Sequence, residues 1–114
     1  MAFSEEQLRS IRHAVRDFCE RRSPPAVRDS VCLVYTIEAQ NVIIRESRPA
    51  WRDPAKWIEM DVAKLRYIGK SNEWKLYWKR ASGKWWAYEP RTRSRSLLAL
   101  IEEIDADEYG CFFG

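Results

Sequence analysis

The stretch from Asp61 to Pro90 constrains the fold most, because apolar and polar residues alternate along it between two groups of turn-forming residues. Alternation with a period of two is typical of β-strands that bury one face. A four-residue turn over Gly69–Asn72 keeps the apolar residues of both flanking strands on one side, with Leu65 opposite Leu76. The stretch therefore predicts antiparallel strands with one buried face.

A second turn is predicted at Ala81–Gly83, whose glycine can adopt the left-handed backbone conformation that residues with a Cβ disfavour. This three-residue turn places Trp78 opposite Trp86 on the buried face and leaves Trp85 exposed. A four-residue turn would bury Trp85 instead. We favour the three-residue turn because it also sets Lys75 opposite an acidic residue.

The exposed face of these strands, called the outer face below, is predicted to mix basic and aromatic side chains. They are Lys64, Arg66, Lys75, Tyr77, Lys79 and Trp85. The register sets Arg66 directly opposite Lys75, and like charges across a strand pair cost roughly 0.2 to 1 kcal/mol. A bound anion would remove that cost. The other interpretation is that long basic side chains extend into water and protect an exposed sheet.

Positive charge is concentrated in this part of the chain, although the net charge is only +3. Residues 61–95 contain 10 basic and 3 acidic residues, whereas residues 96–114 contain no basic and 5 acidic residues. A basic segment attracts phosphate groups, while an acidic one either repels them or folds back over the basic face. The charge pattern favours a polyanionic partner such as nucleic acid.

Three further arginines, Arg91, Arg93 and Arg95, alternate with hydroxyl-bearing residues at the start of a second predicted helix, Ser94–Asp105. Backbone N–H groups at a helix N-terminus are suited to binding phosphate. These arginines therefore join the predicted nucleic-acid-binding residues. A solvated linker is the alternative.

The remaining segments complete an α+β fold. Ser4 and Gln7 form a capping box that starts an N-terminal helix, which two prolines end. Strands are predicted at Val31–Glu38 and Val42–Arg48, and their continuous apolar runs predict cover on both faces. We expect a single α+β domain over residues 1–114, with an N-terminal helix, about five antiparallel strands in a meander, a C-terminal helix and a docked apolar tail.

Two apolar groups lie outside these elements. Trp51 and Trp57 flank a proline-containing loop, which they are expected to anchor to the core, and a sandwich around a base or sugar ring is the alternative. Phe112 and Phe113 are too apolar for a free terminus, so this end is expected to dock on the sheet or on a second subunit. A homodimer through Phe112 and Phe113 is therefore one predicted partnership.

Patterns for catalysis and metal binding are weak. His13 is the only histidine, and Cys19 points to a different side of the helix, so no nucleophilic site is predicted. Asp61 and Glu73 resemble the carboxylates of a metal-dependent nuclease, but the register separates them by roughly 23 Å at 3.3 Å per residue. We predict no catalytic residue, no metal site and no cofactor.

The cysteines point to a reducing compartment, because the three of them show no paired spacing. No apolar run has the length of a signal peptide core or a membrane span. We expect a soluble cytoplasmic protein without a membrane partner.

Four motifs carry a resemblance to a known family. They are Cys19–Pro25, Glu73–Trp78, Lys84–Pro90 and Tyr109–Gly114. With these motifs the chain resembles, over nearly its whole length, a bacterial family described only as a domain of unknown function, number 3024. The resemblance implies a small bacterial protein and supplies no activity, cofactor or catalytic residue.

The function that these patterns favour is a nucleic-acid-binding module that uses the outer face, with single strands or RNA as ligands. The first alternative is a protein-interaction or regulatory subunit, including a homodimer. The second alternative is a metal-dependent nuclease.

Overall fold

A computed structural model describes residues 3–27 and 29–113, which form one antiparallel sheet with a helix at each end of the chain. The elements in order are α1 (Glu5–Arg22), β1 (Cys32–Glu38), β2 (Asn41–Pro49), β3 (Trp57–Ile68), β4 (Glu73–Lys79), β5 (Trp85–Ala87), a single 3-10 turn (Glu89–Arg91), β6 (Arg93–Ser94) and α2 (Leu97–Ala106). The strands follow the order β1-β2-β3-β4-β5, and the short β6 pairs with the N-terminal part of β4. The predicted α+β class and the antiparallel meander are confirmed.

Both helices pack on the same face of the sheet, called the helix face below. At its centre Val42, Leu65 and Leu76 lie side by side on neighbouring strands, and none of them is exposed. Buried residues of both helices belong to the same core cluster as these strand residues. Neither helix in the described part of the chain has the length and apolar character needed to span a bilayer.

The predicted cover on both faces of β1 and β2 is wrong. Val34 and Ile43, which point to the outer face, are only half-buried, whereas Leu33 and Ile44 on the helix face are buried. The apolar runs in these strands do not indicate a second helical layer, because β-branched residues also suit a half-exposed pleated surface. The described helices therefore leave the outer face open.

The N-terminal capping box forms as the sequence predicts. The Gln7 N–H donates to Ser4 Oγ at 3.1 Å, and the Ser4 N–H donates to Gln7 Oε1 at 2.9 Å. At the other end of α1 the Leu33 N–H donates to the buried Ser23 Oγ at 2.7 Å, which ties the helix end to β1. These contacts fix both ends of α1.

A β-bulge in β3 changes the predicted alternation. Ile44 pairs with Ala63, but the next residue of β2, Arg45, pairs with Asp61, so Val62 is an extra residue in β3. Val62 is buried, although simple alternation assigned it to the exposed side. On the N-terminal side of the bulge, each side chain of β3 points to the face opposite to the one that uninterrupted alternation predicts. Asp61 therefore faces outward.

Both predicted turns are confirmed. Tyr67 pairs with Trp74 across the first turn, and Gly83 has a left-handed φ of 84° in the second. Trp78 pairs with Trp86 as expected, yet the prediction that Trp86 is buried and Trp85 exposed is wrong, because half of the Trp86 surface (50%) is exposed and Trp85 is half-buried. β5 has only three residues, and the helices do not extend over this end of the hairpin.

The C-terminal helix begins later than predicted, at Leu97. Ser94 pairs with Trp74 in β6, and Ser96 caps the helix by accepting from the Ala99 N–H at 3.2 Å. A strand pairing at Ser94 excludes a helical start there. The extended segment before α2 therefore belongs to the sheet.

The apolar tail docks on the chain itself. The carboxylate of Asp107 accepts from the N–H groups of Phe112 and Phe113, each at 2.9 Å. The Phe112 ring lies 4.9 Å from the ring of Tyr88, and the Arg22 guanidinium lies 3.9 Å from the centre of the Phe113 ring. The docked tail is thus confirmed, while a homodimer through these two residues stays a prediction.

Tyr88 offers a direct test of this packing. Its ring is buried, and its hydroxyl has no hydrogen-bond partner in the described part of the chain. An unsatisfied buried polar group costs roughly 1 to 3 kcal/mol. We expect Tyr88→Phe to raise the free energy of unfolding by about 1 kcal/mol, measured by urea denaturation. A clear loss of stability would instead mean that the hydroxyl has a partner in solution.

Candidate functional site

The six residues predicted for the outer face lie on one side of β3, β4 and β5. Lys64 pairs with Tyr77 and Lys79 pairs with Trp85, which joins the three strands. Arg66 pairs with Lys75, as the register predicted. The arrangement requires both turns, because a shift of one residue in either would move one strand's side chains to the helix face.

Two lysines and two aromatic rings form the centre of this face. The Lys64 ammonium lies 4.8 Å from the centre of the Tyr77 ring and 5.3 Å from that of Trp85. The Lys79 ammonium lies 5.2 Å from the centre of the Trp85 ring. Cation–π attraction favours such positions. One ligand of nucleotide size can reach both ring and charge here.

An ion-pair network adjoins this cluster on the side of β1 and β2. Asp61 accepts from Arg45 Nε at 2.9 Å and also from the Lys79 ammonium. Arg45 in addition donates to Thr36 Oγ1 at 2.9 Å and contacts Glu38 at 3.3 Å. Partial burial opposes ionisation of Asp61, but the hydrogen bonds from Lys79 and Arg45 outweigh it and lower the pKa of this carboxyl. The acidic groups here already have partners.

Three cations of the outer face remain without an ion pair in the described part of the chain: Lys64, Arg66 and Lys75. Partial burial and the nearby positive charges of Arg66 and Lys79 lower the pKa of the Lys64 ammonium. The direct pairing of Arg66 with Lys75 adds like-charge repulsion across the strands. An anion bound here would reduce all of these unfavourable interactions.

The three arginines before α2 do not form one site. Arg93 pairs with Lys75 in the sheet, so it extends the outer face, and its guanidinium lies 4.0 Å from Glu73. Arg91 instead contacts Glu103 of α2 at 3.8 Å, and Arg95 lies along a groove between the two helices. The pairing of β6 with β4 separates the three arginines from one another. It also places Arg93 opposite Lys75, where an acidic residue was expected.

The acidic end of the chain lies away from the outer face, because α2 packs on the helix face. Asp105 accepts from Arg22 of α1 at 2.8 Å, and the Asp107 carboxylate holds the tail. Asp105 is therefore paired with α1, and Asp107 with the tail. They do not fold over the basic residues of the sheet.

Trp51 and Trp57 do not anchor their loop, so this prediction is wrong. Trp51 is 87% exposed and Trp57 is 49% exposed. The proline and charged residues around the two tryptophans predicted a long irregular segment. In the structure β2 extends to Pro49 and β3 begins at Trp57, so only the connection between these strands is irregular. The two rings therefore project from the end of a long hairpin.

The two carboxylates considered for a nuclease lie far apart. Glu73 pairs with Ile68 at one end of β3, and Asp61 is engaged by Arg45 and Lys79 beyond the bulge. Residues 3–27 and 29–113 contain no group of three or more histidine, cysteine, aspartate or glutamate side chains placed to hold a metal ion. His13 is exposed on α1.

Sequence reasoning missed Arg45 as a member of the outer face. Arg45 is the residue at which the β2–β3 register shifts, and no turn residue or glycine in the sequence marks that shift. Apolar alternation does not mark it either, because Arg45 follows the continuous apolar run Val42–Ile44 and precedes the polar Glu46 and Ser47. The ion pair with Asp61 could be inferred only after the bulge was known.

Comparison with known protein families gives a match. A family model described as "Domain of unknown function (DUF3024)" matches residues 3–114. No match was found among curated proteins or among solved structures. The model covers all but the first two residues, so this chain belongs to the DUF3024 family.

Proposed function

We propose that the outer face binds single-stranded nucleic acid, RNA included. The observation that carries the proposal is the adjacency of Lys64, Arg66 and Lys75, which lack ion-pair partners in the described residues, to the rings of Tyr77 and Trp85 on an open sheet. Cations neutralise phosphates and aromatic rings stack on unpaired bases. Both kinds of group are needed for this class of ligand.

The shape of the face favours single strands over a duplex. Reading a B-form major groove requires a helix or a two-stranded ribbon that enters it. The outer face is instead a broad sheet, and its exposed side carries neither of the described helices. Unpaired bases can reach rings on such a surface while the backbone follows the lysines and arginines. A cytoplasmic location, expected from the cysteine pattern, belongs to the same proposal.

Neutralising the facing pair Arg66 and Lys75 tests the proposal. Loss of one contact with a single-stranded phosphate reduces the slope of log K against the logarithm of the salt concentration by about 0.7. The Arg66→Gln, Lys75→Gln double variant should therefore reduce this slope by about 1.4. We expect roughly tenfold weaker binding of a short random RNA at physiological salt. Fluorescence anisotropy over a range of salt concentrations measures both quantities. The free energy of unfolding should stay equal or rise slightly, because a like-charge pair is removed.

A matched control removes the same charge from another part of the surface. Arg9 and Arg12 are exposed on α1, which packs on the helix face. The Arg9→Gln, Arg12→Gln variant should retain most of the affinity. Equal losses in the two variants would indicate that net charge alone attracts RNA. An unmodified protein that fails to bind at low salt, or whose binding added salt does not weaken, would contradict the proposal.

A further inference from the structure

β3 has an open edge at its N-terminal end. β4 pairs only with Ala63–Ile68 of β3, while β2 pairs with β3 from Arg66 to Trp57. On the β4 side, the stretch Trp57–Met60 therefore has no strand partner in the described part of the chain. β4 ends at Lys79, whose ammonium contacts Asp61, so the open stretch begins beyond Asp61.

The backbone groups of this stretch can be assigned to the two sides of β3. The Ala50 N–H donates to the Lys56 carbonyl at 2.8 Å, so Lys56 directs its backbone groups toward β2. The backbone N–H and C=O groups of successive residues in a strand point to opposite sides, so those of Ile58, two residues after Lys56, also point toward β2. The N–H and C=O groups of Trp57 and Glu59 consequently point to the open side. Unpaired groups in such a row form a template for another strand.

The side chains of the open stretch are unusually apolar for an edge. Trp57 is 49% exposed, Ile58 is 45% exposed and Met60 is 51% exposed. Ile58 and Met60 lie on the helix face beyond the described helices, because they alternate with the outward-facing Asp61. Proteins protect free edges with charge or proline, but Glu59 is the only charged residue between Trp57 and Met60.

We propose that Trp57–Met60 pairs with the same stretch of a second copy of this chain, antiparallel about a twofold axis at Ile58. A twofold axis makes the contact self-complementary and closes the assembly at two copies. Trp57 of each copy then faces Glu59 of the other, and each such pair exchanges both of its backbone hydrogen bonds. The two Ile58 side chains meet on the helix face.

Charge and space exclude the two registers whose axis lies nearer to β4. An axis at Glu59 would set the two glutamates opposite each other, and an axis at Met60 would set Glu59 opposite Asp61. Both of those registers would also push the second strand toward Lys79 at the end of β4. The axis at Ile58 avoids acidic pairs and leaves β4 free. A second copy is favoured over a foreign peptide because the stretch supplies its own complementary pairing.

The contact area sets the expected strength. Trp57, Ile58 and Met60 expose on the order of 300 Å² of side-chain surface per copy, less than the ~800 Å² per partner of a standard interface. We therefore expect a weak, reversible dimer with a dissociation constant from micromolar to millimolar. The dimer is independent of any ligand on the outer face.

Sedimentation equilibrium over the micromolar to millimolar range tests the dimer, with Ile58→Lys as the disrupting variant. Two lysines would face each other at the axis, so we expect the dissociation constant to rise by at least about tenfold. Leu98→Lys is the matched control, because Leu98 is an exposed apolar residue (60%) on α2 and should not affect dimerisation. A monomer at every concentration, or equal effects of both variants, would overturn the proposal.

Cysteine cross-linking tests the register, in a protein whose Cys32 and Cys111 are replaced by serine. Burial is the largest cause of the raised pKa of the remaining Cys19, and it persists when Cys32 is replaced, so this thiol stays unreactive. Ile58→Cys should form a disulfide-linked dimer with oxidised glutathione, because residues facing each other across the axis lie within disulfide reach. Cross-linking by Glu59→Cys but not by Ile58→Cys would overturn the assigned axis.

Discussion

Replacing Trp85 by alanine is expected to weaken the binding of single-stranded RNA by between about fivefold and a hundredfold. Stacking of a base on an aromatic ring contributes about 1 to 3 kcal/mol, and 1.4 kcal/mol corresponds to a factor of ten. The Trp85 ring lies beside the Lys64 and Lys79 ammonium groups, so a stacked base brings its phosphate close to both. The salt dependence should change little, because no charge is removed.

The neighbouring residue supplies the matched control for this measurement. Trp86 is half exposed and lies in the same strand, but it points to the helix face, where Arg80 lies 4.3 Å from the centre of its ring. Trp86→Ala removes an equal ring from the opposite side of the sheet and should leave RNA affinity within about twofold of the unmodified protein. A loss confined to Trp86→Ala would place the ligand on the helix face and contradict the proposed function.

Local patterns in the sequence were sufficient for the central strands. Turn chemistry at Gly69–Asn72 and at Ala81–Gly83 fixed the register, and the register fixed which side chains share the outer face. Capping by Ser4 and the two prolines set the limits of α1 in the same way. These features depend on residues close in the chain, which is why one sequence can specify them.

Features that depend on distant contacts were not predictable. The bulge at Val62 turned Asp61 outward and created the ion pairs with Arg45 and Lys79, although no local signal marks it. Exposure of Trp86 likewise depends on where the helices end in space. Hydrophobic character indicates that a side chain can be buried, but the cover has to come from elsewhere in the chain.

The segment before α2 shows the same limit for the candidate site. Alternating Arg91, Arg93 and Arg95 suggested one phosphate site, and the pairing of β6 with β4 kept only Arg93 beside the outer face. Whether these few residues form a strand or a helix is decided by their pairing with β4, which is distant from them in the sequence. Their local preference is too weak to decide it.

Removing the side chain at the centre of the helix face should cost far more than removing its neighbour on the outer face. Leu65 is fully buried between Val42 and Leu76, so Leu65→Ala is expected to lower the free energy of unfolding by about 2 to 5 kcal/mol. A loss of this size is a large fraction of the ~5 to 15 kcal/mol typical of a folded protein. Urea denaturation followed by tryptophan fluorescence measures it.

The adjacent Arg66→Ala variant completes this test, because it probes whether the outer face is open in solution. Arg66 is exposed and faces the like charge of Lys75, so its removal should change stability by less than about 0.5 kcal/mol. A cost comparable to that of Leu65→Ala would mean that another segment or subunit covers the outer face. The lysines and rings would then be inaccessible, and binding of nucleic acid there would be excluded.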